Sequence, residues 1–223
     1  MGLHRTQQFI LAQLSEKDAL RYSDMRPASM EATQFLYHLR KLINDGLVEK
    51  QADGRYALTA QGKLYIDRAD QDNLNLRAQP RLGAMLICRH PEKGLLYVRR
   101  SVHPVKGYIG FPIIDIPLGF PLPLVDFVAD AAERKLGLKL TCKHRGDAYV
   151  NVERGDELEG SLLAHVMTAD ISIFPPDLPD DCCWEEDLTP TAQGLRLASN
   201  DAILERLAAS QDFFFLEYTF RVD

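Results

Sequence analysis

No apolar run in this 223-residue chain approaches the roughly 18–20 residues that span a bilayer, so no transmembrane helix is expected. The opening segment Met-Gly-Leu-His-Arg-Thr-Gln-Gln lacks an apolar core, which predicts no secretory signal. Gly2 and Thr6 match a myristoylation pattern only loosely and are discounted. Four cysteines are too few for a disulfide scaffold at this length. Together these absences predict a cytoplasmic protein with reduced thiols. Positive charge is also scarce: 26 Lys and Arg face 32 Asp and Glu, a net charge of -6. Averaged over the chain, that is a poor electrostatic match for nucleic acid. With 46 % hydrophobic and 26 % charged residues, disorder and collagen-like repeats are excluded.

What is present divides in two. Residues 70–80 are polar and aperiodic and end in Pro80, as linkers do. They separate an N-terminal part, 1–69, from a C-terminal part, 81–223. Up to Arg68 there are 10 Lys and Arg against 8 Asp and Glu, a balance of +2. The remainder holds 16 against 24, a balance of -8. The acidity belongs to the C-terminal part, and the whole-chain average hides a sign change.

In the N-terminal part, Phe9, Ile10 and Leu14 have helical spacing over Leu3–Leu14. A short second helix is expected over Ala19–Met25, stopped by Pro27. Ser29 is a plausible cap for a third helix, whose Ala32, Phe35, Leu36, Leu39, Leu42 and Ile43 form an apolar stripe. Gly46 ends it. Leu47–Gln51 and Arg55–Leu58 flank Ala52-Asp53-Gly54, a hairpin signal. Thr59 caps a last helix through Asp67. Three helices followed by a hairpin is the order of a winged helix-turn-helix. The run from His38-Leu39-Arg40-Lys41-Leu42 through Asp45–Lys50, Asp53–Tyr56 and Leu58-Thr59 to Gly62 resembles winged-helix transcription regulators of bacteria and archaea. The resemblance implies that the third helix enters the major groove and the wing touches the backbone. Opposite the apolar stripe lie Glu31, Thr33, Gln34, Tyr37, His38, Arg40 and Lys41. Thr33, Gln34 and Tyr37 are placed to meet base edges; Arg40, Lys41 and wing Arg55 are placed to meet phosphates. Against this stand the small charge balance and the use of such domains for protein docking. His38 is expected to be a surface or packing residue rather than a switch.

In the C-terminal part, Arg81–Cys88 and Leu95–Arg100 read as strands around a Pro91–Gly94 turn. Strand-like stretches follow at Ile109–Pro112 and up to Leu118. A helix carries Val125, Val128, Ala129, Ala132 and Leu136 on one face and ends at Gly137. A further hairpin joins Gly146–Val152 to Ser161–Ala169, and a helix covers Asn200–Ala209. This mixture predicts an α+β or α/β sandwich, making the whole chain α+β. The order resembles the Nudix hydrolase family over about 140 residues. Leu95–Arg100 corresponds to its Arg-ended strand pair, and Ile109–Ile114 to its Trp-x-x-Pro-Gly-Gly loop.

Laid on the Nudix box, the chain departs almost everywhere. Gly119 matches, but the first glutamate becomes Phe120. The helix end matches at Gly137-Leu138. Counting back, the Arg-Glu pair becomes Asp130-Ala131, and the two metal-binding glutamates become Arg134 and Lys135. In the family those carboxylates hold Mg²⁺, a cation that takes oxygen ligands. Ala131 offers none, and Arg134 and Lys135 repel it, so no pyrophosphatase activity and no metal are expected. Asp126, Asp130 and Glu133 remain near the helix as a rebuilt site in principle. Arg99, Arg100, His103 and Lys106 form a basic cluster suited to phosphates, or simply an exposed loop.

Cys88-Arg-His90 and Cys142-Lys-His144 are two Cys-x-His pairs, a weak zinc signal. Cys182-Cys183, in the acidic stretch Asp177–Asp187, read as free thiols beside Trp184, on a solvated edge. Phe213–Leu216 is a terminal strand or an apolar patch that would suggest a dimer interface. The leading reading is a DNA-binding transcription regulator, dimeric because operators are two-fold. Its inactive Nudix-like domain would sense a nucleotide-like molecule or mediate dimerisation. Relatives joining the two domains usually carry the winged helix C-terminally; here it is N-terminal. The alternatives are a divergent Nudix hydrolase of nucleoside diphosphate derivatives, which alone would need Mg²⁺, and a protein-docking adaptor.

Overall fold

The computed structural model describes residues 3–69, 76, 78–120, 123–171, 178–209 and 211–222. The chain divides into two compact units, Met1–Ala78 and Gln79–Asp223. Within the expected linker, residues 70–75 and 77 lie outside the described residues, and Leu76 makes an antiparallel bridge with Ala69. Among the described residues no helix is long and apolar enough to cross a membrane.

The N-terminal unit runs α1 (Arg5–Glu16), α2 (Tyr22–Met25), α3 (Ala32–Asn44), β1 (Val48–Lys50), β2 (Tyr56–Leu58) and α4 (Ala60–Arg68). This is the winged helix-turn-helix order. Its core joins Ile10, Leu11 and Leu14 of α1 to Phe35, Leu39 and Leu42 of α3 and to Val48, Tyr56 and Leu58 of the hairpin. Two expected boundaries move. Leu20 exchanges both backbone hydrogen bonds with Tyr56, so its stretch is extended and α2 begins only at Tyr22. Ser29 sits in a turn closed by Met30 N–H to the Pro27 carbonyl and cannot cap α3; Glu31 stands at the cap instead. Gly46 ends α3 as expected, at φ +72°. The Gly46 and Leu47 N–H groups donate to the Ile43 and Leu42 carbonyls, the two bonds of a Schellman motif. At the wing tip Gly54 has φ +85°, which a side chain would strain.

His38 is buried, not on the solvated face. Its ring stacks on His4 at 4.2 Å, and its Nδ1 has no hydrogen-bond partner among the described residues. His4 in turn caps α1: its Nδ1 accepts from Thr6 N–H, and its own N–H donates to Gln7 Oε1.

The C-terminal unit is a mixed sheet between helices. Its elements are β3 (Arg81–His90), β4 (Gly94–Arg99), β5 (Ile109–Gly110), β6 (Ile113–Asp115), α5 (Leu124–Leu136), β7 (Lys143–Arg154), β8 (Glu157–Asp170), β9 (Cys182–Trp184), α6 (Pro190–Gln193), α7 (Ala198–Ala209) and β10 (Phe214–Arg221). The strand order is β10-β7-β8-β3-β4-β5, with β6 paired to β3 and β9 to β4. The β10–β7 and β3–β8 pairs are parallel; the others are antiparallel. Central β3 is buried from Gly83 to Cys88 and alternates between two cores. Ala84, Leu86 and Cys88 pack with Val128, Ala132 and Leu136 of α5. Met85 and Ile87 pack with Tyr97, Phe111 and Ile203 of α7.

The acids of the stretch expected as a solvated edge are mostly exposed, while its cysteines and Trp184 join the sheet. Cys182–Trp184 form β9 on β4. Glu185 accepts from Leu95 N–H and pairs with Arg196, and Glu186 pairs with Lys93. Asp177 lies outside the described residues. All four cysteines are free thiols. Phe213 and Phe215 are exposed, while Phe214 and Leu216 of β10 pack on the α7-side core.

Two predictions follow from the N-terminal unit. A Cβ on Gly62 would stand 2.0 Å from the Leu47 carbonyl oxygen, backbone that cannot yield locally. Gly62→Ala should therefore destabilise this unit by about 3 kcal/mol in denaturant unfolding, the upper range for overpacking. Burial, His4 and Lys41 lower the His38 pKa from its ordinary 6.5. Below about pH 6.5 the unfolded chain therefore binds the proton more readily, and the stability contributed by neutral His38 is lost as pH falls. The unit should unfold more easily at pH 5 than at pH 7.5, and His38→Gln should flatten that difference.

Candidate functional site

One end of the sandwich opens into a cavity of about 640 Å³. That volume is in the range of small-molecule sites. Its walls come from many elements: the start of β3, the end of β4, β6, the end of α5, the β7–β8 pair, the first turn of α7 and the end of β10. The sheet supplies an apolar floor of Met85, Ile113, Val150 and Leu162.

Over that floor stand Arg81, Arg99, Arg100, His103 and Lys135, and among the described lining residues Asp181 is the one acid. Arg99 and Arg100 stand where β4 runs out. Arg100 is turned inward, with its guanidinium against Gly110 and an Nη2 hydrogen bond to the Phe111 carbonyl. Burial and the nearby Arg81 lower the Arg100 pKa to about 10, so it keeps its charge at neutral pH. Arg81 Nε pairs with Asp115 Oδ1. Ser161 and Asn200 also line the cavity, and Ser161 Oγ and Asn200 Oδ1 are buried without a hydrogen-bond partner among the described residues. Ser199 and Asn200 belong to the first turn of α7, whose dipole adds positive potential.

Of the sequence-based basic cluster, Arg99, Arg100 and His103 line this cavity and Lys106 does not. Lys106 is exposed on the loop before β5, beyond the end of the strand that aims the two arginines inward. Arg81 and Lys135 were not among the expected ligand residues. Arg81 enters because β3 begins beside β6, a pairing that sequence alone does not give. Lys135 enters because it ends α5 one turn past Ala131.

The residues at the expected box positions do not fit a divalent metal. Gly119 adopts φ +70°. Phe120 packs its ring on Phe127 at 5.5 Å, an apolar contact where a carboxylate would stand. Ala131 packs against the α5-side core, and Asp130 and Arg134 are exposed. Lys135 Nζ donates to the Ile113 carbonyl at 3.0 Å, so an ammonium occupies this corner of the cavity. Gly137 caps α5 at φ +69°. Asp126, Asp130 and Glu133 do not gather into a group able to share an ion. Nor do Cys88, His90, Cys142 and His144. Cys88 is a core residue, its thiol pushed up to about 12 by burial.

In the N-terminal unit, Thr33, Gln34, Tyr37, Arg40 and Lys41 are all exposed on α3, with Tyr37 64 % exposed. Wing Arg55 is held by its own hairpin: its Nε lies 2.6 Å from Asp53 Oδ2, and its N–H donates to Asp53 Oδ1. The bond is exposed and weak enough to exchange for a phosphate.

No protein-family profile matches the chain, and no curated protein matches it. Among solved structures, it is similar to the NUDIX domain of NrtR from Shewanella oneidensis in complex with ADP ribose. The identity is 20 %, the match covers 68 % of this chain and 98 % of that one, and the TM-score is 0.42. The MutT protein of Bacillus halodurans is 12 % identical over 62 % of this chain and 90 % of that one, with TM-score 0.44. A NUDIX hydrolase from Nitrosomonas europaea is 12 % identical over 60 % and 93 %, with TM-score 0.46. At such identities the likeness concerns fold and says nothing of ligand or reaction.

Proposed function

We propose that this protein is a DNA-binding transcription regulator whose C-terminal unit binds an anionic, nucleotide-like molecule without hydrolysing it. One observation carries the reading: Arg81, Arg99, Arg100 and Lys135 line the cavity, and Lys135 Nζ is held there by the Ile113 carbonyl. Fixed guanidinium and ammonium groups attract phosphates directly. They also repel Mg²⁺, so the site favours retention of a ligand over activation of water. The apolar floor suits a flat ring.

The regulator half of the proposal rests on α3. Its exposed face offers amide, hydroxyl and aromatic groups beside Arg40 and Lys41, the mixture that reads bases while gripping backbone. A two-fold operator then calls for a homodimer.

Titration calorimetry of the full chain with ADP-ribose, ATP and inorganic phosphate tests the sensor. At least one nucleotide should bind, and Arg99→Ala with Lys135→Ala should weaken it tenfold or more, the scale of lost charge-assisted bonds. Absence of binding, or Mg²⁺-dependent release of phosphate from these nucleotides, would overturn the proposal. For DNA, Arg40→Ala with Lys41→Ala should weaken binding to all fragments alike. It should also reduce the slope of log K against log salt by about 2, one unit per lost phosphate contact. An unchanged slope would mean that this face of α3 does not meet phosphates.

A further inference from the structure

The face of the sheet that α5 shares carries a second cluster, away from the ligand cavity. It is built from His144 and Asp147 of β7 and His165 of β8. Asp147 and His165 are direct register partners, so their side chains rise from the same face. His144 precedes Asp147 by three residues, a spacing that puts side chains on opposite faces of a regular strand. A bulge between His144 and Gly146 inserts one residue and returns His144 to the shared face. The outcome is convergence on a single oxygen. His144 Nε2 lies 2.9 Å and His165 Nδ1 2.7 Å from Asp147 Oδ1, and the three ligand atoms all lie within 4.8 Å of one another.

The surroundings suit an ion that is both held and reachable. The side chains of His144, Asp147 and His165 are 29 %, 25 % and 23 % exposed. The two imidazoles meet edge to face at 5.1 Å, which fixes their planes. Phe213 stands edge-on to His144 at 5.2 Å and screens one side. The donor set is two imidazole nitrogens and one carboxylate oxygen. Imidazole suits zinc and its first-row neighbours, whereas Mg²⁺ and Ca²⁺ take oxygens. Zinc sits about 2.0–2.2 Å from such ligands. Three tetrahedral ligands would then stand roughly 3.3 Å apart, a small widening of the two contacts to Asp147. A bound ion replaces the shared protons, and each imidazole keeps its proton on the nitrogen that faces away from Asp147.

We infer that His144, Asp147 and His165 form a binding site for a divalent transition metal of the zinc class. Three protein ligands leave a fourth position open to water or an external donor. Such a site lies outside the degenerate box and needs none of its carboxylates.

The test uses the full chain, stripped with chelator and titrated with Co²⁺ as a visible probe, then with Zn²⁺ as competitor. One equivalent of Co²⁺ per chain should give tetrahedral d–d absorption that Zn²⁺ abolishes. His144→Ala and His165→Ala should each remove that absorption, and Asp147→Asn should weaken binding at least tenfold. Cys142→Ser should leave it unchanged. Circular dichroism of each variant checks that the fold persists, and Asp147→Asn, close to isosteric, keeps the test decisive if an alanine variant unfolds. Absence of a tetrahedral band in the parent protein would overturn the proposal and leave the cluster a hydrogen-bonded triad. So would equal binding by a folded Asp147→Asn or His165→Ala protein.

Discussion

The C-terminal unit depends on one constraint, that β3 must bury both of its faces. From Gly83 to Cys88 no side chain meets solvent, so each face needs its own cover. Even-numbered residues call for α5 and odd-numbered ones for α7. Each fully buried apolar side chain contributes about 1.5–3 kcal/mol, and separating either helix would forfeit several at once. The cavity lies where these covers run out. Its walls are therefore element ends, and element ends carry the polar groups that a buried sheet cannot. The position of the site and the stability of the fold have the same origin.

Charge then decides what such a site can do. The unit carries the chain's acidity, yet its cavity collects cations. Lys135 is the clearest case, because its ammonium is fixed by the Ile113 carbonyl rather than left to wander. A fixed cation that belongs to the polypeptide does some of what a metal would do for a phosphate, but it cannot lower the pKa of a bound water as a metal does. Electrostatic attraction without an activated nucleophile is what the proposed binding role requires.

Much of the fold was legible from residue patterns. The stripe of α3, Gly46 at its end, the Asp53-Gly54 hairpin and the amphipathic α5 closing at Gly137 all follow from local physics. The misreadings share a cause in tertiary competition. Leu20 gives its backbone to Tyr56, so α2 starts late. Glu185 accepts from Leu95 N–H and pairs with Arg196, so one member of the acidic run is tied to the sheet while its neighbours stay exposed. The same holds at the site. Arg99, Arg100 and His103 were visible as a local cluster, but Arg81 and Lys135 join them only through strand register and a helix end. His144 was visible only within a Cys-x-His pair, and its grouping with Asp147 and His165 was beyond reach, because a bulge at Arg145 is invisible in composition and periodicity.

The parallel pairing of β10 with β7 has a consequence for the order of assembly. β7 and β8 form a local hairpin and β3 joins it from earlier in the chain, but the outer neighbour of β7 is made long after β7 itself. Until then β7 presents an open row of amides and carbonyls to any strand in the cell. Its polar side chains, among them His144, Arg145 and Asp147, make that edge a poor template for foreign pairing. The same residues that decorate the finished sheet thus guard the unfinished one during synthesis.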